Sequence, residues 1–394
     1  MRIRSLISLA AAIALLLTGV PAALRAQAPA PIVIPVIASL TGAASFIGKS
    51  DQQSLQLIEA LVNRQGGINH RPIHFQYYDD GTNPQTVVQI ANQIIATKAP
   101  IVIGPTLTQQ CLAVAPLFKD NGPADYCLSP AVAPAPGGYI WSTSISAQNL
   151  NLVAVRYLRE RGLKRLAIIS STDATGQEAD RNWAHAKSLP ENRDVEYVAH
   201  EHFNLNDVSI GAQMARVKAA NPQAILTFTV GAGFGTELHG IYDSGIDVPV
   251  YVSNGDMIVE QLAGYKSFMP KELLFSAVLA FNRNSLSAGP VRDAIDVFLK
   301  AYKDAGLTPN FPNTLSWDPA MIILDGYRKL GDNATAAQFR EFINTLHGFA
   351  GINGIYDFRD GTQHGVGENG VVLVRYNPAN DTFVPVSKRS GHLK

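Results

Sequence analysis

Residues 101–134, IVIGPTLTQQCLAVAPLFKDNGPADYCLSPAVAP, hold the alternation of elements that decides the fold of this 394-residue chain. The apolar run over residues 101–103 is typical of a short strand that is buried on both faces of a parallel sheet. A Gly-Pro turn, a helical segment and a second strand follow, and a loop of Ser, Pro and Ala ends the stretch. Strand, helix and strand in this order predict an α/β fold with a parallel sheet.

Two loops of this stretch are expected to meet at one edge of the sheet. Residues 106–108 lie where the helix begins, and residues 129–131 follow the second strand. In a doubly wound sheet both loops leave the carboxyl ends of strands, where ligands usually bind. The backbone N–H groups at a helix start lack partners within the helix, so they are capped by a Thr or Ser side chain or face an anion. The stretch therefore predicts a binding site for a small carboxylate.

The chain has two cysteines, Cys111 and Cys127, which match neither a metal finger nor a redox C-x-x-C motif. Cys111 lies near the start of the predicted helix and Cys127 near the carboxyl end of the next strand, so both are expected at the same edge of the sheet. An oxidising compartment would favour a disulfide between them, worth roughly 3 kcal/mol in the chain-entropy model. Two buried free thiols are the alternative, since cysteine is often simply buried.

Residues 1–26 have the layout of a secretory signal peptide. Arg2 and Arg4 precede an apolar run over residues 6–17, and small residues follow up to Ala26. The run is too short for a stable transmembrane span. We expect cleavage after Ala26 and export to the periplasm, and an uncleaved anchor is the alternative.

The length and composition of the chain predict two lobes with large cores, since 46% of its residues are hydrophobic and 16% charged. The formal net charge is zero and no basic cluster indicates a nucleic-acid surface. Alternating strands and helices fill both halves, but three late helical segments lack strands of their own. We therefore expect these helices to cover the first sheet and the chain to cross between lobes more than once. The predicted lobes are residues 30–145 plus 273–346 and residues 146–272 plus 347–390.

Several short motifs follow one another at characteristic spacings. They are SLTG (residues 39–42), NRQGGIN (63–69), YDD (78–80), IGP (103–105), SP (129–130), DATG (173–176) and GIYDF (354–358). In this order they resemble the periplasmic substrate-binding proteins of ABC importers, of the leucine/isoleucine/valine-binding type. The resemblance implies two Rossmann-like lobes joined by three crossovers, which close around a ligand by hinge motion. It also implies a monomer that acts with a membrane permease, without enzymatic activity or a cofactor.

The resemblance also implies a set of ligand-binding residues. A hydroxyl after the Gly-Pro turn and nearby backbone N–H groups hold the ligand carboxylate in that family, which selects Thr108 and the backbone of Ala131. Ala133 stands where the family has a Thr, and Thr175 stands where it has a Tyr. The acidic partner of the ligand's ammonium group matches only Asp256.

Phe46, in the first loop, and Phe234, in the glycine-rich segment 231–235, are further candidates for ligand contact. Since Ala133 and Thr175 replace residues that serve the amine end of the ligand, this end has fewer partners here. A buried ammonium group without partners is costly. An aromatic or aliphatic acid without an α-amino group therefore competes with a branched-chain amino acid as the ligand.

The sequence also bears on other functions and sites. A sensor domain of the same fold, acting on a membrane receptor, is the alternative function, and an exported enzyme lacks a nucleophile–base pair in this sequence. The acidic pair Asp79 and Asp80 is predicted to serve turn formation and capping. His200 and His202 adjoin a strand end without a third ligand near them in sequence, so a solvated strand edge is predicted and no metal site.

Overall fold

A computed structural model describes residues 29–394 of the chain. The predicted signal peptide and its cleavage site after Ala26 lie outside the described residues. Within residues 29–394, no helix is both long enough and apolar enough to cross a membrane.

The described residues form fourteen strands and eleven α-helices. The strands are β1 (Ile32–Ala38), β2 (Ile73–Asp79), β3 (Ile101–Ile103), β4 (Ala124–Cys127), β5 (Ile140–Ser142), β6 (Arg165–Ser171), β7 (Glu196–Phe203), β8 (Ala224–Phe228), β9 (Val250–Val252), β10 (Leu273–Val278), β11 (His347–Ala350), β12 (Ile355–Asp357), β13 (Val371–Asn377) and β14 (Thr382–Pro385). The helices are α1 (Ser45–Arg64), α2 (Pro84–Thr97), α3 (Thr108–Phe118), α4 (Ala147–Glu160), α5 (Ala174–Ser188), α6 (Gly211–Ala219), α7 (Ala232–Ser244), α8 (Val259–Ala263), α9 (Pro290–Asp304), α10 (Asn313–Leu330) and α11 (Ala336–Thr345).

Two large sheets organise these elements. The first has five parallel strands in the order β2-β1-β3-β4-β5, and α1, α2 and α3 connect its first four strands. The second has seven strands in the order β14-β13-β10-β9-β8-β6-β7, of which β6 to β10 are parallel and the last two antiparallel. The predicted α/β fold with parallel sheets flanked by helices is confirmed.

Strand β10 belongs to the second sheet, where it pairs with β9 on one side and with β13 on the other. The sequence-based boundaries placed residues 273–346 in the first lobe, which disagrees with this pairing. An apolar run predicts a buried strand, but the sheet that it joins depends on contacts made far along the chain. The other lobe boundaries stay predictions.

The chain passes between the two sheets three times. It leaves the first sheet after β5, returns after β10 to form α9, α10 and α11, and enters the second sheet again at β13. Helix α10 packs along α1 and α11 packs against β4, so these late helices cover the first sheet as predicted. Three separate segments of the chain therefore connect the two sheets.

Asp79 and Asp80 hold the loops at the carboxyl ends of β1 and β2. Asp79 Oδ1 accepts hydrogen bonds from the backbone N–H groups of Leu40 at 3.0 Å and Gly81 at 2.9 Å. Asp80 Oδ1 accepts one from the Ser39 hydroxyl at 2.7 Å. The predicted turn-forming role of this acidic pair is confirmed.

Asp125 is a buried carboxyl group without a hydrogen-bond partner among the described residues. It lies on β4 between Val102 of β3 and Ile140 of β5, which belong to an apolar cluster shared with α2 and α3. Burial raises the pKa of the Asp125 carboxyl well above its usual range, because a charge in apolar surroundings loses its hydration. At neutral pH, where Asp125 is ionised in the unfolded chain, this unfavourable burial lowers the stability of the folded chain.

Replacing Asp125 by valine, a residue favoured in strands, is expected to raise the free energy of unfolding at pH 7 by about 1–3 kcal/mol. Because the folded-state pKa lies above the unfolded value of about 3.9, the wild type regains stability as the pH falls towards that value. The advantage of Asp125→Val should therefore shrink on acidification. Urea unfolding at several pH values measures it, and equal stability of both chains at pH 7 would contradict the prediction.

Candidate functional site

A cavity of about 40 Å³ lies at the carboxyl ends of strands from both sheets. Its wall consists of Ile47, Thr106, Leu107, Thr108, Leu128, Ser129, Pro130, Ala131, Thr175, Phe228, Val230, Ser253, Asn254, Gly255, Phe311 and Leu315. All of these residues are uncharged, and six of them carry a hydroxyl or an amide group. The wall therefore combines apolar surface with a few polar groups that can orient a ligand.

The start of helix α3 faces this cavity. Its N-cap residue is Leu107, whose side chain makes no capping hydrogen bond. The first N–H groups of a helix have no partner within the helix, and the aligned peptide dipoles give this end a partial positive charge. Helix α3 therefore presents an uncapped, electropositive end to an occupant of the cavity.

Two hydroxyl groups lie beside this helix start. Thr108 Oγ1 and Ser129 Oγ are 2.8 Å apart, and the backbone N–H of Ala131 donates to Ser129 Oγ at 3.3 Å. The hydroxyl of Thr106, by contrast, donates to the buried carboxyl of Asp51 at 3.1 Å. Thr108 and Ser129, which hydrogen-bond each other, are thus the hydroxyl pair that can turn towards a ligand.

The wall from the second sheet offers a different set of groups. Helix α5 also begins at the cavity, with Thr175 in its first turn, but Asp173 caps it by accepting a hydrogen bond from the N–H of Gly176 at 3.1 Å. Nearby, Nδ2 of Asn254 is buried without a hydrogen-bond partner among the described residues. An anion is therefore favoured at α3 rather than α5, with the Asn254 amide as a further donor.

The structure brings three of the predicted ligand-binding residues, Thr108, Ala131 and Thr175, to the wall of this cavity. Ala133 lies in the wall of a neighbouring cavity of about 330 Å³. The two cavities share Pro130 and Ala131, so they are neighbours along one cleft.

The two predicted phenylalanines lie outside both cavity walls. Phe46 is 50% exposed, and the next residue, Ile47, lines the smaller cavity. Phe234 is fully buried and packs edge-to-face against Tyr265, with ring centres 5.7 Å apart. A ligand contact by either phenylalanine stays a prediction and finds no support in these positions.

Asp256 is buried and does not belong to either cavity wall. Its Oδ1 accepts a hydrogen bond from the backbone N–H of Gly231 at 3.0 Å. Burial raises the pKa of Asp256 well above its usual range, and it raises the pKa of the buried Glu237 near it in the same way. A carboxyl group that favours its neutral form and already holds a loop is a weak partner for a ligand's ammonium group.

Phe311 and Leu315 line the cavity although the sequence did not indicate them. Leu315 lies in helix α10, which begins at Asn313, and Phe311 lies two residues before this helix. Pro312 is the local signal for the helix start, because proline fits the beginning of a helix. Their approach to the cavity follows from the packing of α10 on α1, for which the sequence carries no local signal.

Cys111 of α3 and Cys127 of β4 form a disulfide, with Cα atoms 5.9 Å apart. The predicted pairing is confirmed over the alternative of two free thiols. The bridge connects the first turn of α3, which carries Thr108, with the end of β4, which leads to Ser129. It therefore holds together the two elements that supply the hydroxyl pair.

Comparison with known proteins agrees with this architecture. The profile of the family described as "Periplasmic binding protein" matches residues 31–381. The Leu/Ile/Val-binding protein homolog 3 of Brucella melitensis is 30% identical over 93 residues, which are 24% of this chain and 25% of that relative. The chain thus aligns with about a quarter of the length of that relative.

Two solved structures are similar over nearly their whole length. The branched-chain amino acid transporter substrate binding protein LivJ of Streptococcus pneumoniae, solved with isoleucine, has a TM-score of 0.72 at 16% identity and covers 90% of this chain and 99% of its own. A solute binding protein of an ABC transporter from Rhodopseudomonas palustris BisB5, solved with 3,4-dihydroxy benzoic acid, has a TM-score of 0.72 at 18% identity, with coverages of 93% and 98%. These identities establish a shared fold. The family match over residues 31–381 shows that the chain belongs to the periplasmic binding protein family and is a ligand-binding protein rather than an enzyme.

Proposed function

We propose that this chain is the exported solute-binding component of an ABC importer and binds a small carboxylate-bearing ligand between its two lobes. The observation that carries the proposal is the uncapped start of α3, which faces an uncharged cavity beside Thr108 and Ser129. A ligand carboxylate there would accept hydrogen bonds from the first-turn N–H groups of α3 and from the Thr108 hydroxyl. The apolar part of the wall would take the rest of the ligand.

The cavity favours an acid without an α-amino group over an amino acid. No acidic side chain contributes to its described wall. The buried Asp256, outside this wall, already accepts a hydrogen bond from the backbone N–H of Gly231. A buried ammonium group without a charged partner is strongly unfavourable. The ligands named for the two similar structures, isoleucine and 3,4-dihydroxy benzoic acid, both carry a carboxylate and differ in the amino group. We therefore infer an aromatic or aliphatic carboxylic acid as the ligand class.

The volume of the cavity implies that ligand access needs movement of the lobes. At about 40 Å³ it is far smaller than the roughly 300–1,000 Å³ of typical small-molecule sites. A ligand would enter when the lobes move apart about the three crossings, and contacts to both walls would then favour closure.

Matched probes test the ligand class. Benzoate and 3-methylpentanoate are expected to raise the unfolding temperature of the purified protein, whereas benzyl alcohol, which lacks the carboxylate, should not. L-Isoleucine, which is 3-methylpentanoate with an added α-amino group, should stabilise the protein less than 3-methylpentanoate does. Equal stabilisation by the alcohol and the acid, or a clear preference for the amino acid, would count against the inferred class.

Replacing Thr108 by valine is expected to weaken binding of the best acid from this panel by about ten- to one-hundred-fold, because a hydrogen bond to a charged group is worth about 1.5–3 kcal/mol. Isothermal titration calorimetry measures the change. Thr97→Val is the matched control, since the Thr97 hydroxyl donates only to Ile94 O at the exposed end of α2. Undiminished binding in Thr108→Val would show that the carboxylate does not bind at the start of α3.

Export to the periplasm after removal of residues 1–26, delivery to a membrane permease and a monomeric state belong to the same proposal. The family match supports an exported binding protein. The cleavage after Ala26 and the permease rest on the sequence pattern and the resemblance described above.

A further inference from the structure

We propose that Asp180, His200 and His202 form a binding site for one divalent transition-metal ion, with zinc as the representative ion, on the surface of the second lobe. Asp180 comes from helix α5, and both histidines come from strand β7. His200 Nε2 lies 2.8 Å from Asp180 Oδ1, and His202 Nε2 lies 2.7 Å from Asp180 Oδ2. One ligand atom from each of the three side chains lies within 4.8 Å of the other two.

A β-bulge in β7 turns both histidines towards α5. The register of β7 against β6 skips Val198, so this residue is an extra one in the strand. Side chains alternate between the two faces of a strand, so in a strand without a bulge His200 and His202, three and five residues after Tyr197, would lie on the face opposite Tyr197. With it they share the face of Tyr197, whose hydroxyl donates to the backbone oxygen of Trp183 in α5. Bulges commonly re-aim side chains in this way next to functional sites.

The carboxylate of Asp180 is held in place by a further hydrogen bond. The hydroxyl of Ser170 donates to Asp180 Oδ1 at 2.6 Å, and Ser170 lies on β6 directly opposite His202. Metal-binding carboxylates are typically oriented by such outer hydrogen bonds.

Two imidazole nitrogens and one carboxylate oxygen form a ligand set that suits zinc, copper or nickel rather than calcium or magnesium. Metal–ligand bonds of about 2.0–2.2 Å place neighbouring ligand atoms roughly 3.4 Å apart in a tetrahedral site. Each imidazole nitrogen lies beside a different oxygen of Asp180, at 2.8 Å for His200 and 2.7 Å for His202. The distance to the oxygen that binds therefore needs to widen by less than about 1 Å. The second imidazole needs to approach that same oxygen from within 4.8 Å. The bound ion would replace the Nε2 protons that the imidazoles share with the carboxylate.

The ion would be reachable from solvent, because the side chains of His200 and His202 are 40% and 43% exposed. Three protein ligands leave a fourth position for water. Glu201 lies between the two histidines in sequence but forms an ion pair with Arg216, with Oε2 2.6 Å from Nη2. It is therefore not one of the proposed ligands.

The sequence predicted a solvated strand edge here, since no third ligand lies beside His200 and His202. The structure supplies this third side chain. Asp180 lies 20 residues before His200 in sequence, and the packing of α5 on the sheet brings the two side chains together. The site is separate from the ligand-binding cleft, so it does not depend on the proposed function.

Zinc binding by the purified protein, prepared without a histidine tag and treated with a chelator, tests the proposal. Titration with zinc chloride in a calorimeter is expected to give one ion per chain. His202→Gln and Asp180→Asn should each weaken binding by at least ten-fold. His239→Gln is the matched control. His239 lies on the same lobe, and its Nδ1 is 2.9 Å from Asp243 Oδ2. Among the described residues, no third metal-binding side chain lies beside this pair.

The visible absorption of added cobalt gives a second readout, since nitrogen and oxygen ligands in a four-coordinate site produce a strong band that an aqueous ion lacks. Loss of this band in His202→Gln, with its retention in His239→Gln, supports the site. A wild-type chain without stoichiometric zinc binding, or equal weakening in His202→Gln and His239→Gln, overturns it. If Asp180→Asn lowers the metal-free unfolding temperature, the exposed His202→Gln variant decides the matter.

Discussion

Replacing Gly104 by alanine is expected to lower the free energy of unfolding by more than about 4 kcal/mol, at the far end of single-residue effects. Gly104 has a φ of +95°, and a Cβ atom there would lie 2.0 Å from the backbone oxygen of Ile37 in β1. Because this neighbour is backbone inside the first sheet, it cannot turn aside as a side chain can. Gly104 also leads from β3 to the start of α3, so the displacement would reach the proposed carboxylate site at Thr108 and weaken ligand binding as well.

Gly137→Ala separates the conformational cost from the clash. Gly137 also has a positive φ, +68°, but a Cβ atom there would meet nothing within 4 Å. Its replacement should cost only the strain of the left-handed conformation, about 1–2 kcal/mol. Urea unfolding of both variants gives the comparison. A Gly104→Ala variant as stable as Gly137→Ala would show that the first sheet tolerates a side chain at this point.

Removing the carboxylate of Asp318 is expected to have the second largest effect, a loss of about 3–5 kcal/mol in Asp318→Ala. Asp318 is buried in α10 and accepts four hydrogen bonds at 2.9–3.0 Å from the third crossing between the lobes. The donors are the N–H groups of Ile352 and Asn353, the side-chain amide of Asn353 and the hydroxyl of Tyr356. Alanine would leave these buried donors unpaired, each at a cost of about 1–3 kcal/mol.

Asp318→Asn and Asp304→Ala serve as graded controls for this prediction. Asparagine keeps one acceptor oxygen and should lose less stability than alanine. Asp304 forms an exposed i,i+4 pair with Lys300, and such surface pairs contribute little to stability, so its replacement should leave the free energy of unfolding nearly unchanged. Chemical unfolding at pH 7 measures all three, and a loss in Asp318→Ala no larger than in Asp304→Ala would refute the anchoring role.

The same carboxyl gives a pH signature. Burial raises the pKa of Asp318 to about 6, although its hydrogen bonds oppose the shift. Since the unfolded value is about 3.9, the folded chain takes up this proton first, and wild type should gain stability relative to Asp318→Asn as the pH falls from 7 towards 4.

Asp318→Ala is also expected to impair the hinge motion of the lobes, because the third crossing would lose its hydrogen bonds to α10.

Much of the proposed carboxylate site could be predicted from sequence because its parts are close along the chain. Thr108 and Ala131 follow the ends of neighbouring parallel strands, and the segments after such strands meet at one sheet edge in any fold of this class. The same reasoning pairs Cys111 with Cys127. Phe311, in contrast, lies just before helix α10, about 180 residues further along the chain, and no local sequence pattern predicts that it lines the cavity.

Hydrophobic period and loop order act over short distances, so they suffice to predict the α/β class, the two-lobed organisation and the disulfide. Three features follow only from the folded chain: β10 joins the second sheet, Ile47 lines the cavity next to an exposed Phe46, and Asp180 meets His200 and His202. Each of these depends on how distant elements pack or on one extra residue in a strand. A single-residue change of register reverses the face of every following side chain, so such outcomes follow from the whole packed chain.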